Sequence, residues 1–171
     1  MEESQNSQEA SNFDFSIDKV EEAANLIYQN QDDPVQINQA VSYLEEWKTN
    51  PLAIFQACEV IRLSENLNAH NFAALALDFS IPTLWSRISD EDCIEVRTFI
   101  SQQIFSYENL IIIRNLSKAL AHIAVYDFPD KWEGYETYLF PDEENYATFL
   151  MLEAFFIDFE NSENITQQRR Q

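Results

Sequence analysis

The chain has 171 residues, 46% of them hydrophobic, and 30 acidic residues against 10 basic ones give it a formal net charge of −20. It contains one glycine, Gly134, whereas all-β and doubly wound folds need many glycines for tight turns and phosphate loops. Composition therefore predicts an all-α protein. It also excludes a disordered chain, because thirteen Phe, seven Tyr and three Trp are ample for a packed core.

The excess of carboxylates bears on the partners. A charge of −20 opposes binding to a phosphate backbone, so no direct nucleic-acid partner is expected. No apolar run approaches the roughly 20 residues that cross a bilayer, so no membrane partner is expected either. The acidity could attract basic proteins, or it could only keep an aromatic-rich chain soluble. Both readings stay open at this point.

Taken in chain order, residues 1–15 predict a disordered acidic tail, with Phe13 and Phe15 close enough to pack on the first helix. Helix-start signals then recur. Caps are predicted at Ser16, Asp33, Asn50 and Ser89, with Pro34 and Pro51 each at the first helical position.

Apolar spacing places the other elements. The second helix should bury Ile37, Ala40, Val41, Leu44 and Trp47. A fourth helix should begin near Asn68, and Pro82 should kink or interrupt it. A sixth should span residues 109–127, a seventh should run from Pro129, and an eighth from Asp142 should carry Phe149 and Phe156.

The helix starts repeat every 35 to 39 residues, which predicts stacked antiparallel pairs. The predicted fold is an α-solenoid of about four HEAT-like helix pairs, an α-α superhelix. The glycine and small residues at fixed offsets of tetratricopeptide repeats are missing. The predicted repeats are residues 16–50, 51–88, 89–127 and 128–160, and residues 161–171 would be a flexible end or the start of a missing fifth repeat.

Two segments carry a family resemblance: NPLAIFQACEVIRLSENLNAHNFAALALDFSIPTLWSRISDEDCIEVRTFI and LSKALAHIAVYDFPDKWEGYETYLF. They resemble the amino-terminal HEAT repeats of the β-karyopherins, the importins and exportins, and look closest to the exportin branch. The family's third repeat ends in a Trp-Pro-x-x-Trp-Pro-like motif. Here Phe128 replaces the first Trp, and Glu133 stands where the second Pro is expected.

The resemblance implies a nuclear transport receptor that shuttles between nucleus and cytoplasm. In that family the second helix of each early repeat touches the GTP form of the small GTPase Ran, and the first helices face outward, where phenylalanine-glycine nucleoporins dock. Cargo protein is a further implied partner. The Ran-facing helices would be residues 34–49, 69–88, 109–127 and 143–158, and the candidate contact residues are Glu45, Glu46, Asn71, Asp78, Arg114 and Lys118.

For each candidate, a solvated helix face is the more common alternative. Arg114, Lys118 and His122 form an i, i+4, i+8 row, which would meet an acidic partner or pair with carboxylates of neighbouring helices. Nothing in the sequence indicates catalysis, a cofactor or a metal site, since no HExxH pair or activated nucleophile occurs. Cys58 and Cys93 fit small core residues.

The alternative function is a HEAT-repeat scaffold or adaptor that binds a basic protein independently of Ran. The chain ends where a fifth repeat should begin, which suggests a fragment or a truncated paralogue. Phe149, Phe155, Phe156 and Phe159 would then lie at an open end of the stack and favour self-association.

Overall fold

The computed structural model describes residues 13–28, 33–127, 131–132 and 146–161, with side chains in the last segment described for residues 148–157. All regular structure in these residues is helical. The α-helices are α1 (Ile17–Tyr28), α2 (Pro34–Lys48), α3 (Ala53–Leu63), α4 (Leu67–Leu84), α5 (Asp90–Gln103), α6 (Leu110–Asp127) and α7 (Tyr146–Asn161). Short 3-10 helices, Trp85–Arg87 and Ile104–Ser106, extend α4 and α5.

The helices pack as consecutive pairs, α1 on α2, α3 on α4 and α5 on α6. Four of them, α2, α4, α6 and α7, also pack side by side in that order, and we call this set the helix row. Behind it α3 lies against α5, while α1 contacts both α2 and α4. This is an all-α helical solenoid, as the sequence predicts. The predicted seventh helix falls in residues outside the described part.

One hydrophobic core runs through the stack. Five residues of α4 are fully buried, Ala69, Ala73, Ala74, Ala76 and Leu77. Four of them are alanines, and their small side chains allow neighbouring helices to approach closely. Close contact on both sides explains why α4 has no clear polar face. The core therefore holds α4 in the centre of the row, between α2 and α6.

Three of the four predicted caps are confirmed. The Ser16 hydroxyl accepts from the Lys19 N–H at 3.2 Å, the Asp33 carboxylate accepts from Val35 and Gln36, and the Ser89 hydroxyl accepts from the Asp92 N–H. Each side chain satisfies N–H groups that the first helical turn leaves unpaired.

The prediction that Asn50 and Pro51 start α3 is wrong. The Asn50 side chain accepts from the Leu52 N–H at 2.8 Å, which closes a local turn, and the helix begins at Ala53 without a side-chain cap. Asn50 itself is buried. The pair Asn50–Pro51 therefore builds a tight turn, whereas the similar pair Asp33–Pro34 caps and begins a helix.

Other local expectations also change. Pro82 does not interrupt α4, which continues to Leu84. Val41 is exposed instead of buried. Phe13 and Phe15 pack on α2 rather than on the first helix, with ring centroids 5.0 Å from Tyr43 and 6.0 Å from Trp47.

The last helix, α7, presents apolar side chains to solvent. Phe149 and Phe156 are 61% and 60% exposed, while Leu150 and Met151 are buried against the rest of the stack. Neither Phe149 nor Phe156 is a core residue of this helix. Phe155 is partly buried and packs against the core.

Candidate functional site

The two candidate glutamates of α2 lie on different sides of that helix. Glu45 pairs with Lys48 at 2.7 Å, and the Lys48 ammonium lies 4.9 Å from the ring centroid of Phe79 on α4. Glu46 instead lines a groove beside α1, together with Tyr43. Neighbouring residues on a helix are about 100° apart, so one partner surface does not bring both carboxylates together.

Polar side chains join α4 to α6 along the surface of the helix row. The Asn115 amide donates to Asn71 Oδ1 at 3.4 Å, and the Tyr126 hydroxyl donates to the Pro82 carbonyl at 2.7 Å. Between them His122 Nε2 lies 3.0 Å from Asp78 Oδ1. All three pairs are 44 residues apart, so one register of α6 on α4 makes every contact. We call this line of contacts the polar seam.

The polar seam places Asn71 and Asp78 on one surface. Asn71 also donates to the Tyr28 hydroxyl of α1, so its side chain is held from two sides. Asp78 is only 17% exposed and also has the Lys118 ammonium at 3.9 Å. These two side chains have fixed positions, which lowers the entropy lost when a partner hydrogen-bonds to them.

The predicted basic row divides. Lys118 and His122 pair with the carboxylate of α4, which supports the reading that the row meets acidic residues of neighbouring helices. Arg114 is exposed and makes no ion pair with any residue that the structure describes. It is therefore available to a partner, one turn before Lys118 on the same helix face.

Apolar side chains lie among these polar groups. Val41 on α2, Phe79 on α4 and Ile111 on α6 are exposed to 40%, 48% and 60%. Protein interfaces commonly combine such apolar contacts with a polar rim. The exposed surface of the helix row has the composition of a protein-binding surface.

A second surface lies on α3 and α5, the first helices of their pairs, on which no contact residue was predicted. Phe55, Leu63 and Phe99 line a groove of about 390 Å³ between the two helices. Arg62 reaches across it, with its guanidinium 5.0 Å from the Phe99 ring and 3.6 Å from Glu95. The groove depends on how the two repeats stack, and spacing along one helix cannot show that.

Buried ionisable groups have structural roles. Burial raises the pKa of the Cys58 thiol to about 12 and that of Cys93 to about 11, so both stay protonated at neutral pH. His70 is buried between the Ser64 carbonyl and the Tyr107 hydroxyl, at 2.8 and 2.9 Å. In the described residues no group of three or more His, Cys, Asp or Glu side chains could hold a metal ion.

The fold defines a class, a helical-repeat protein with an ordered row of packed helices. No helix in the described ranges is long and apolar enough to cross a membrane. Residues 40–106 match the family model of the importin-beta N-terminal domain, so this part of the chain is similar to that domain. A search of curated proteins found no match.

The matched segment runs from the second half of α2 through the 3-10 helix that follows α5. It contains Glu45, Glu46, Asn71 and Asp78, and it includes both helices of the α3–α5 groove. Arg114 and Lys118 lie beyond it on α6.

Proposed function

We propose that this chain is the amino-terminal part of a nuclear transport receptor that binds the GTP form of Ran through the exposed surface of the helix row. The observation that carries the proposal is the match of residues 40–106 to the importin-beta N-terminal domain, the region used for Ran-GTP in this family. The role is binding, without catalysis or a cofactor. It implies a protein that shuttles between nucleus and cytoplasm.

The geometry of the row supports specific contact residues. Asn71 and Asp78 are held by the polar seam, so they would recognise polar groups of Ran with little reordering. Glu45 and Arg114 are exposed on the flanking helices and would supply opposite charges to a partner surface. Lys118 would change partners more easily than His122, because its distance to Asp78 is 3.9 Å rather than 3.0 Å. Glu46 is the weakest Ran candidate, since it faces the α1 side.

The remaining partners follow from the family. We propose that the chain is most similar to the exportin branch, because an aromatic-rich helix leads into Trp85 and the first turn of α5 is acidic. Cargo protein would bind elsewhere on the receptor. The groove of Phe55, Leu63 and Phe99 suits the phenylalanine of a phenylalanine-glycine nucleoporin repeat, because these side chains form an apolar wall within a charged rim and the groove has about the volume of one or two aromatic side chains.

Nucleotide-dependent capture tests the Ran proposal. Immobilised protein should retain Ran loaded with a non-hydrolysable GTP analogue and not Ran loaded with GDP. Substituting Glu45→Ala and Arg114→Ala together should weaken binding at least about tenfold, and both changes are at exposed positions that leave the core intact. The matched control is Glu91→Ala with Arg87→Ala, which removes one charge of each sign on α5 and in the preceding 3-10 helix.

Two outcomes would contradict the proposal. Equal retention of the two nucleotide forms would favour the alternative, a scaffold that binds its partner independently of Ran. Equal loss in the control and test variants would place the contact away from the helix row.

A further inference from the structure

A groove of about 770 Å³ separates α1 from α2, away from the polar seam. Its lining includes apolar side chains from both helices, Ala23 and Leu26 of α1 and Ala40 of α2. Phe13 and Tyr43 add an aromatic wall, with ring centroids 5.0 Å apart and planes tilted by 30°. The groove is large enough for a side chain of a partner and part of its backbone.

The sides of the groove are negatively charged. Three carboxylates line it, Asp14, Glu22 and Glu46, together with one ammonium, Lys19. Lys19 pairs with Asp14, so three negative charges and one positive leave a local charge of −2. In the described residues neither Glu22 nor Glu46 takes part in an ion pair, although both are exposed. Two carboxylates thus remain available beside an apolar, aromatic surface.

We propose that this groove binds an extended segment of a partner protein that inserts an arginine side chain. The methylene stem of arginine would cover the alanine and leucine surface, and its planar guanidinium would stack on the aromatic wall. Glu22 and Glu46 would pair with the charge, and Gln36 and Gln39, which also line the groove, would hydrogen-bond the peptide backbone. Lysine fits less well, since its compact ammonium keeps its water and does not stack.

Charge argues against other occupants. Residues 1–12 contain three glutamates and no lysine or arginine, so they are repelled by the groove that begins at Phe13. A second copy of the chain carries a net charge of −20 and is repelled in the same way. An arginine-bearing partner is attracted at both long and short range. The groove shares only Glu46 with the Ran candidates, and the arginine-peptide test uses no Ran, so failure of one proposal does not decide the other.

Fluorescence polarisation with the full chain tests the proposal. The probe is a labelled glycine–serine peptide that contains two arginines, and the comparison peptides carry lysine or neutral citrulline at the same positions. Substituting Glu22→Gln with Glu46→Gln should weaken the arginine peptide about fivefold, because two exposed charge pairs are lost. The control Glu91→Gln with Glu108→Gln removes the same charge at exposed positions outside the groove.

The outcomes are separable. A loss in the groove variant, less than about twofold change in the control and weaker binding of both comparison peptides support the site. Equal losses in the two double variants would show that only the overall charge acts, and the site would be rejected. Tight binding of the citrulline or lysine peptide would reject arginine as the recognised group. A dimer that strengthens when Glu22 and Glu46 are neutralised would show that a second copy fills the groove.

Discussion

Asp127 offers the sharpest test of how the stack is held together. Its carboxylate is 4% exposed at the end of α6. One oxygen accepts from Trp85 Nε1 at 2.9 Å, and the other accepts from Arg97 Nη1 of α5 at 2.8 Å. The Arg97 side chain is itself only 12% exposed and lies 5.0 Å over the Trp132 ring. One carboxylate therefore joins three separate parts of the chain.

The cost of removing this carboxylate can be worked out from its partners. Asp127→Ala leaves a nearly buried guanidinium with the Lys131 carbonyl at 3.1 Å, and leaves the Trp85 N–H without its acceptor. Breaking a buried ion pair from one side costs about 3–5 kcal/mol, and the partial exposure of Arg97 puts this case near the lower figure. Asp127→Asn keeps an acceptor for Trp85 and should cost about 2 kcal/mol.

A double variant separates pairing from packing. Arg97→Met with Asp127→Asn removes both charges but retains an acceptor for the indole, so its stability should lie within about 1 kcal/mol of the natural chain. Urea unfolding followed by far-UV circular dichroism gives the free energies, with Glu91→Ala as the exposed control. For a chain of this size, about 3 kcal/mol corresponds to a fall in Tm of about 6–12 °C.

Additive effects of the two single changes would contradict this coupling between Arg97 and Asp127. If the double variant is destabilised by the sum of the two single changes, the pair is not coupled and its contribution comes from packing alone. A loss below about 1 kcal/mol for Asp127→Ala would show that the three links do not depend on the carboxylate.

Three further predictions follow from the described contacts. Leu120→Asp should cost several kcal/mol, about 3 or more, by placing an unpaired charge at a position 3% exposed, and thermal unfolding measures it against the same change at an exposed apolar residue, Ile94→Asp. Asp78→Ala should cost about 1–2 kcal/mol of folding stability by opening the polar seam, and should weaken Ran capture by a smaller amount; intact stability would mean that the seam contributes little to the fold. Burial raises the pKa of Cys58 and of Tyr107 to about 12 from 9.0 and 10.0, so unfolding releases protons at alkaline pH and stability should fall from about pH 9 to pH 12. Urea midpoints measured along this range should flatten in Cys58→Ala, and an unchanged slope would place the effect elsewhere.

Local features were the ones that the sequence predicted best. The caps at Ser16, Asp33 and Ser89 follow from side chains that bond N–H groups two or three residues away. The Asn50–Pro51 turn shows the limit, because an asparagine that closes a turn and one that caps a helix use the same short bond. The residue pair alone does not distinguish the two geometries.

Contacts between helices needed the structure. The pairing of Asp78 with Lys118 and His122 depends on one register of α6 on α4, which no helix periodicity specifies. The grooves beside α2 and between α3 and α5 likewise arise from stacking. The sequence placed Glu45 and Glu46 in one candidate set, whereas in the structure Glu45 pairs with Lys48, which lies over Phe79 of α4, and Glu46 lines the groove beside α1.

The polar seam also decides which candidates can supply binding energy. A partner that hydrogen-bonds to Asp78 must compete with His122 at 3.0 Å, so much of the new bond replaces an existing one and the net gain is small. Phe79 and Arg114 carry no such cost, since the first is 48% exposed and the second makes no ion pair in the described residues. Burying apolar area at Phe79 and satisfying Arg114 should therefore give most of the affinity, while Asn71 and Asp78 fix the orientation of the partner.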